Sequence, residues 1–235
     1  MTKQIVTNKQ RIEENRILIN TLMHSSAKNI DSINMLRYQI TSVEPMILFK
    51  PQQQYISSNQ RKNFIDYTNL KNIGLAYDYI LTNKHTPIDS YEIRELHSIL
   101  AKDTDVPTGF RYTDAKVLGE YAPSAQQIYY HMEQIQYNLA QDKTPVLQRA
   151  FELHFDIILT QPFTDLNKRL ARLLMNWFLI QNGYRPIIFN KKTDSTEYME
   201  ALHKKLSGNH RAYTEYMEKC MLRTQKEIIS LLKTR

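Results

Sequence analysis

Glycine is scarce in this chain: Gly74, Gly109, Gly119, Gly183 and Gly208 are the only five in 235 residues. Neither a P-loop nor a dinucleotide-binding fingerprint can be assembled from them, because both need clustered glycines that let backbone approach phosphate. A phosphate site here would have to use side chains and a helix N-terminus instead. Cysteine is nearly absent too. Cys220 stands alone, which excludes an internal disulfide and a Cys-rich metal site and leaves a small apolar residue on a helix. No His-Glu-x-x-His or comparable metal spacing occurs. Long apolar runs are also missing, and none approaches the roughly 18 to 20 residues that cross a bilayer. The stretch from Met1 to Asn20 is polar and charged throughout, unlike a secretory signal. The expected location is the cytoplasm, although an address read by a specialised secretion machine would leave no such trace.

Hydrophobic residues make up 42% of the chain and charged residues 23%, the balance of a soluble globular protein. The length suits one well-buried domain, or one domain with a helical extension. A net charge of +7 and a pI near 9.3 would suit an anionic partner. The Lys and Arg residues are interleaved with acids, however, so a solvated basic surface explains them better than a nucleic-acid footprint.

Apolar residues recur at three- and four-residue spacing, the pattern of amphipathic helices. Helices are expected near 5–22, 24–40, 60–82, 89–102, 124–141, 145–160, 168–183, 194–206 and 209–233. Pro87, Pro107, Pro123, Pro145, Pro162 and Pro186 fall between these runs, where proline is tolerated. Ser124, Thr144 and Asp194 are candidate N-caps. The segment 109–123 differs, with turn residues at both ends and apolar alternation between, and is expected to form a short β-hairpin or extended flap. Residues 43–59, rich in Gln, Ser and Pro, form the one candidate linker. An all-α fold with a hairpin flap follows, divided into an N-terminal helical extension (1–59) and a main domain (60–235).

The chemistry-bearing segment is Gln161-Pro-Phe-Thr-Asp165-Leu-Asn167-Lys168-Arg169-Leu-Ala-Arg172. A helix ending near Thr160 is interrupted by Pro162, and a second begins near Lys168. Asp165, Asn167, Lys168 and Arg169 therefore crowd a helix N-terminus, with its free N–H groups and partial positive charge. Arg172 lies on the same face. The three cations would oppose one another without an anion between them; a polyphosphate would fit, with Asp165 free to hold Mg²⁺. On the residues alone, an ordinary N-cap followed by a solvated basic turn explains the segment equally well.

The segment also resembles the Fic motif His-Pro-Phe-x-Asp-Gly-Asn-Gly-Arg-x-x-Arg. Pro162, Phe163, Asp165, Asn167, Arg169 and Arg172 match it, while Gln161, Leu166 and Lys168 depart from it. Asn-Lys-Arg is similar to the Doc branch of the same superfamily, and Leu173-Leu174-Met175-Asn176 to the helix that follows the motif. Gly109-Phe-Arg111, with Val117-Leu-Gly119 and Pro123, resembles the Fic flap. His24-Ser25-Ser26-Ala-Lys-Asn29-Ile30 is similar to an N-terminal inhibitory helix, with Ser25 matching and Asn29 standing where that class has Glu.

What the resemblance implies is a Fic-like helical bundle that binds ATP and Mg²⁺ and transfers AMP to a hydroxyl of a target protein. Asp165 would hold the metal, Asn167 and the N–H groups around Lys168 would touch phosphates, Arg169 would bind the β/γ region and Arg172 the γ-phosphate. Phe163 would be a core anchor. Tyr112, Lys116, Val117, Leu118 and Tyr121 would form the flap against a protein target. Gln161 stands at the family's catalytic histidine. An amide has no usable protonation at neutral pH, and losing a general base typically costs about 10²- to 10⁴-fold. Bulky Leu166 and Lys168 in place of glycines are expected to narrow the approach of phosphate to backbone. His97 and His154 are expected to be structural. Three functions compete: a degenerate Fic domain that binds a nucleotide or protein without efficient transfer, an active AMP-transferase or Doc-like protein kinase, and, least favoured, a basic helical nucleic-acid binder.

Overall fold

The computed structural model describes residues 6–25, 58–141, 143–189 and 191–233. Among these are eight α-helices: α1 (Asn8–Ser25), α2 (Ser58–Thr82), α3 (Ser90–Ala101), α4 (Ile128–Leu139), α5 (Val146–Thr160), α6 (Asn167–Gln181), α7 (Lys191–Leu206) and α8 (His210–Lys233). A two-stranded antiparallel hairpin, β1 (Lys116–Val117) and β2 (Glu120–Tyr121), lies between α3 and α4. The all-α expectation and the hairpin at 109–123 agree with this architecture. The turn at its tip is Leu118-Gly119, with φ of 54° and 88°. Two successive left-handed residues match the right-handed twist of the flanking strands, and glycine takes the second of them without steric cost.

The core forms around α5 and α6, an antiparallel pair joined by the 161–166 loop. Ala150, Phe151, Leu153, Ile157 and Ile158 of α5 meet Leu170, Leu173, Leu174 and Trp177 of α6, all buried. Burial on this scale is the main stabilising contribution, at about 25 cal/mol per Å² of apolar surface. Helix α3 packs against α2 and α6, and α8 runs along both α1 and α7. Buried side-chain amides close the ends that helices leave open. Asn72 donates to the carbonyls of Leu100 (3.0 Å) and Lys102 (2.6 Å) at the end of α3. Asn176 grips the strand-like segment after α6: its amide donates to Ile187 O (3.1 Å) and accepts from Ile187 N (2.8 Å).

Several boundaries differ from the sequence expectation. Helix α1 continues through Met23 to Ser25 without the expected break, since none of Leu22, Met23 and His24 interrupts a helix. Its Ile12 belongs to the common core, Ile19 is buried as well, and Gln225 of α8 donates to Ile12 O. A 3₁₀ turn at Ala125–Gln127 precedes α4, with Gln127 Oε1 accepting from both Ser124 N and Ser124 Oγ. Pro145, not Thr144, precedes α5; its missing N–H costs nothing where the helix has no acceptor for it. Helix α7 starts at Lys191, so Asp194 lies inside its first turn rather than at its cap. The expected helix at 24–40 beyond residue 25, the linker at 43–59 up to residue 57, and Asn29 lie outside the described residues.

Candidate functional site

The loop between α5 and α6 is built from two left-handed residues that are not glycine. Gln161 ends α5 at φ 43°, ψ 58°, and Leu166 opens α6 at φ 65°, ψ 2°. Such backbone costs of order 1–2 kcal/mol per residue, and surrounding bonds must over-determine it. They do. Asn167 Oδ1 accepts from Phe163 N (3.0 Å), while its Nδ2 donates to Phe163 O (2.7 Å) and to Gln161 Oε1 (3.1 Å). Gln161 Nε2 donates to Ile158 O at 2.7 Å. The amide at the family's histidine position therefore spends both ends on the loop itself.

Arg111 is the residue that sequence reasoning missed. It is almost fully buried and sits beneath the junction of flap and loop. Its guanidinium donates to Gln161 O (2.6 Å), Thr160 O (3.1 Å), Thr113 O (2.7 Å) and Pro123 O (2.5 Å), and Arg111 N donates to Pro162 O (2.9 Å). Four carbonyls on one planar cation tie both ends of the flap to the end of α5. The Gly109-Phe-Arg111 stretch drew attention as a flap sequence, but nothing in it indicates a buried cation.

His97 of α3 lies under the same loop. Its ring stacks on Phe163 with centroids 3.6 Å apart and planes within 3°, and its Nε2 is 3.2 Å from Asp165 O. Burial drives its pKa down to about 4, so at neutral pH it is an uncharged donor to that carbonyl. His154 is enclosed between Tyr213 (2.8 Å) and Tyr198 (3.1 Å). Burial, helped by the nearby Arg172 and Lys205 charges, lowers its pKa to about 3. Burial keeps both rings uncharged at neutral pH; His154 is bonded through both nitrogens, whereas His97 is bonded through Nε2 alone and its buried Nδ1 has no partner among the described residues.

Leu166, bulky where the motif has glycine, packs with the hydrophobic core. Its left-handed backbone turns the side chain into the core, where it is 7% exposed. Asp165 is exposed, and its Oδ1 accepts from Leu166 N at 2.6 Å. Among the described residues no group of three His, Cys, Asp or Glu side chains could hold a metal. A lone carboxylate beside a helix N-terminus fits a Mg²⁺ that takes most of its other ligands from phosphate and water.

The first bonds of α6 are Arg169 N and Leu170 N onto Leu166 O, so the N–H groups of Asn167 and Lys168 lie ahead of the ladder. Lys168 is exposed, with Nζ 3.9 Å from Met199 Sδ. Arg169 donates to Asn69 Oδ1 of α2 at 2.7 Å. Arg172 donates to Lys168 O at 3.2 Å and lies against the rings of Phe189 and Tyr198. Among the described residues none of these three cations is in a salt bridge with a carboxylate.

Of the flap residues, Tyr112 and Tyr121 are strongly exposed, and Lys116 lies over the Tyr121 ring at 4.5 Å. Val117 faces inward and belongs to the core, with Leu118 packed against it. Helix α1 ends at Ser25, whose side chain is outside the described set, as is Asn29.

Comparison with known proteins bears on the same residues. The model of the Fic/DOC family matches residues 87–179, which span α3, the flap, the loop and most of α6. Protein adenylyltransferase fic-1 from Caenorhabditis elegans is 29% identical over 162 residues, covering 66% of this chain and 31% of that protein. Protein adenylyltransferase Fic from Culex quinquefasciatus is 27% identical over 172 residues, covering 69% and 34%. The chain thus spans about a third of the curated relatives it matches. Among solved structures, a Fic domain containing signaling protein from Bacteroides thetaiotaomicron superposes with a TM-score of 0.74 at 22% identity, covering 97% of this chain and 98% of that one. Fic-1 (residues 134–508) from C. elegans gives 0.72 at 19% identity, covering 97% and 73%. At these identities the structural likeness speaks to the fold.

Proposed function

We propose that the chain, whose residues 87–179 match the model of the Fic/DOC family, is a degenerate Fic domain, which binds a nucleotide or a protein partner without efficient AMP transfer. The observation that carries this reading is the Gln161 amide, hydrogen-bonded at both ends to Ile158 O and Asn167 Nδ2. Transfer to a hydroxyl needs a group that accepts its proton in the transition state. Gln161 offers none, and His97 and His154 are buried and neutral with bonds of their own.

Binding has independent support. Lys168, Arg169 and Arg172 line up at the start of α6 without acid partners among the described residues, and the helix N-terminus adds its own partial positive charge. In this reading the backbone N–H groups of Asn167 and Lys168, with the side chains of Lys168, Arg169 and Arg172, hold the phosphates of ATP, the Asn167 side chain being spent on the loop. Asp165 holds the Mg²⁺ that would neutralise phosphate charge. The exposed flap tyrosines Tyr112 and Tyr121 face a protein target, with Lys116 beside them.

A second reading, an active protein AMP-transferase or a Doc-like kinase, is favoured by one feature. The loop is closed by its own contacts despite the departures, because Leu166 packs inward and Asn167 bridges the turn. The experiment that separates the two incubates the protein with cell lysate and ATP labelled at the α- or γ-phosphate, beside Asn167→Ala and Gln161→His. No label from the native protein, with α-label appearing in Gln161→His, is the expected result. Label from native protein that Asn167→Ala abolishes would overturn the degenerate reading, and its position would tell AMP transfer from phosphorylation.

A further inference from the structure

The cation at position 172 is held in an unusual way. Its guanidinium carbon lies 5.7 Å from the ring centroid of Phe189 and 5.7 Å from that of Tyr198, within cation–π reach of both. The two rings touch each other edge-on, with centroids 5.8 Å apart and an interplanar angle of 65°. They form a corner rather than a parallel slot.

Both walls of that corner are fixed from behind. Phe189 follows Ile187 and Ile188, whose backbone is gripped by Asn176 of α6 and by Thr224 Oγ1, which accepts from Ile188 N at 3.1 Å. Tyr198 is held by a buried hydrogen-bond chain whose direction can be deduced. Tyr213 donates its hydroxyl proton to Phe151 O at 3.0 Å. At its 2.8 Å contact with His154 Nδ1 it must therefore accept, which places the single imidazole proton on Nδ1. His154 Nε2 is then a bare acceptor, and Tyr198 donates to it at 3.1 Å. The chain runs one way, from Tyr198 through His154 and Tyr213 to the backbone of α5.

We propose that Phe189 and Tyr198 are positioning residues for the Arg172 guanidinium, anchored through His154 and Tyr213, and that they set a preference for a nucleoside triphosphate over the monophosphate. The inference rests on the nucleotide-binding reading above and deepens it. A guanidinium with five donors can swing through many arrangements. Held in an aromatic corner, with Nε on Lys168 O, it keeps its outer N–H groups for one anion position, and less entropy is lost when that anion arrives. The distal phosphates are what a monophosphate lacks, so selectivity, rather than overall affinity, reports the corner.

The test measures ATP and AMP binding by calorimetry in the presence of Mg²⁺, on the native chain and on Arg172→Ala, Phe189→Leu, Tyr198→Leu and Tyr198→Phe. Arg172→Ala is expected to weaken ATP by about 10-fold or more through loss of a charge-assisted contact, with AMP changed less than about 2-fold. Phe189→Leu and Tyr198→Leu should each narrow the ATP-over-AMP ratio by about 3- to 10-fold. Tyr198→Phe keeps the ring but cuts the chain to His154, and should narrow it by about 2-fold. Circular dichroism verifies folding; if Tyr198→Leu fails to fold, Phe189→Leu and Tyr198→Phe carry the decision. An unchanged ratio in the folded ring variants overturns the proposal. If the native chain binds neither nucleotide, the binding reading and the preference fall together. The corner is then judged alone by the Arg172 Nε–H resonance. A ring-shifted signal that moves to its ordinary position in Phe189→Leu supports it, and one that stays put overturns it.

Discussion

The two halves of the 161–172 segment are held in opposite ways. From Gln161 to Asn167 the polar side chains largely satisfy one another and the backbone: amide to carbonyl, amide to amide, Arg111 to four carbonyls. From Lys168 to Arg172 the cations find amide, carbonyl and aromatic contacts but, among the described residues, no carboxylate. The first half is a structure that completes itself. The second carries charge with no carboxylate beside it among the described residues, which suits the proposed binding of an anion. The comparison teaches that one motif can satisfy its polar groups internally at one end and leave its cations without acid partners among the described residues at the other.

The sharpest way to break this comparison is at Arg111. Arg111→Ala orphans four carbonyls, that of Thr160 buried, and leaves a cavity where Arg111 was, which should cost about 3–5 kcal/mol and lower Tm by roughly 10 °C. Arg111→Lys, with one point charge for a planar fork, should recover only part of that loss. A thermal melt that moves by less than about 3 °C in Arg111→Ala would show that the flap does not depend on this anchor. Asn167→Ala comes next. It removes three bonds across the turn, and about 2–3 kcal/mol is expected in urea unfolding.

Acidification probes the buried histidines. His97 and His154 hold folded-state values near 4 and 3, against about 6.5 in the unfolded chain. As pH falls below about 6.5 the unfolded state takes up protons first, so stability drops. Asp156 acts with the opposite sign. Burial, with Glu152 beside it, raises its pKa to about 6, so its contribution is present at low pH and lost as pH rises through 6. Two histidines outweigh one carboxyl, and a net loss of about 2–3 kcal/mol between pH 7 and pH 5 follows. The slope in His154→Gln should be shallower. An equal slope would place the titration elsewhere.

Leu166→Gly sets two effects against each other. Relief of left-handed strain is worth about 1 kcal/mol, whereas losing the buried side chain costs about 2–4 kcal/mol. Net destabilisation of about 1–3 kcal/mol is expected. A stabilised variant would show that the backbone strain is the larger quantity. The smallest change on the stability scale is Lys168→Ala, within about 0.5 kcal/mol. Removal of this exposed cation should instead weaken polyphosphate binding, more at low salt than at high.

Much of this was legible in one dimension. Helix positions followed from apolar periodicity, because α5 and α6 bury one face at helical spacing, and the hairpin from Gly119 and its flanking alternation. The motif residues were adjacent in sequence, so their crowding at one helix start needed no tertiary knowledge. Arg111 was not legible. Its four acceptors come from positions 113, 123, 160 and 161, and no local pattern announces a cation that will be buried. The burial of Leu166 was not legible either, because its left-handed φ and its packing in the core are set by neighbours distant in sequence.

The sequence by itself determined the helical class, the place of the flap, the segment that carries the family motif, and the lack of a titratable base at position 161. These depend on residue identity and spacing, which the chain states directly. Only the tertiary structure decided that the Gln161 amide is bonded at both ends, that His97 and His154 are neutral and enclosed, and that Arg172 sits in a corner of rings from positions 189 and 198. Hydrogen-bond partners, burial and the pKa values that follow from burial depend on groups brought together across distant stretches of chain, and such meetings exist only in the packed molecule.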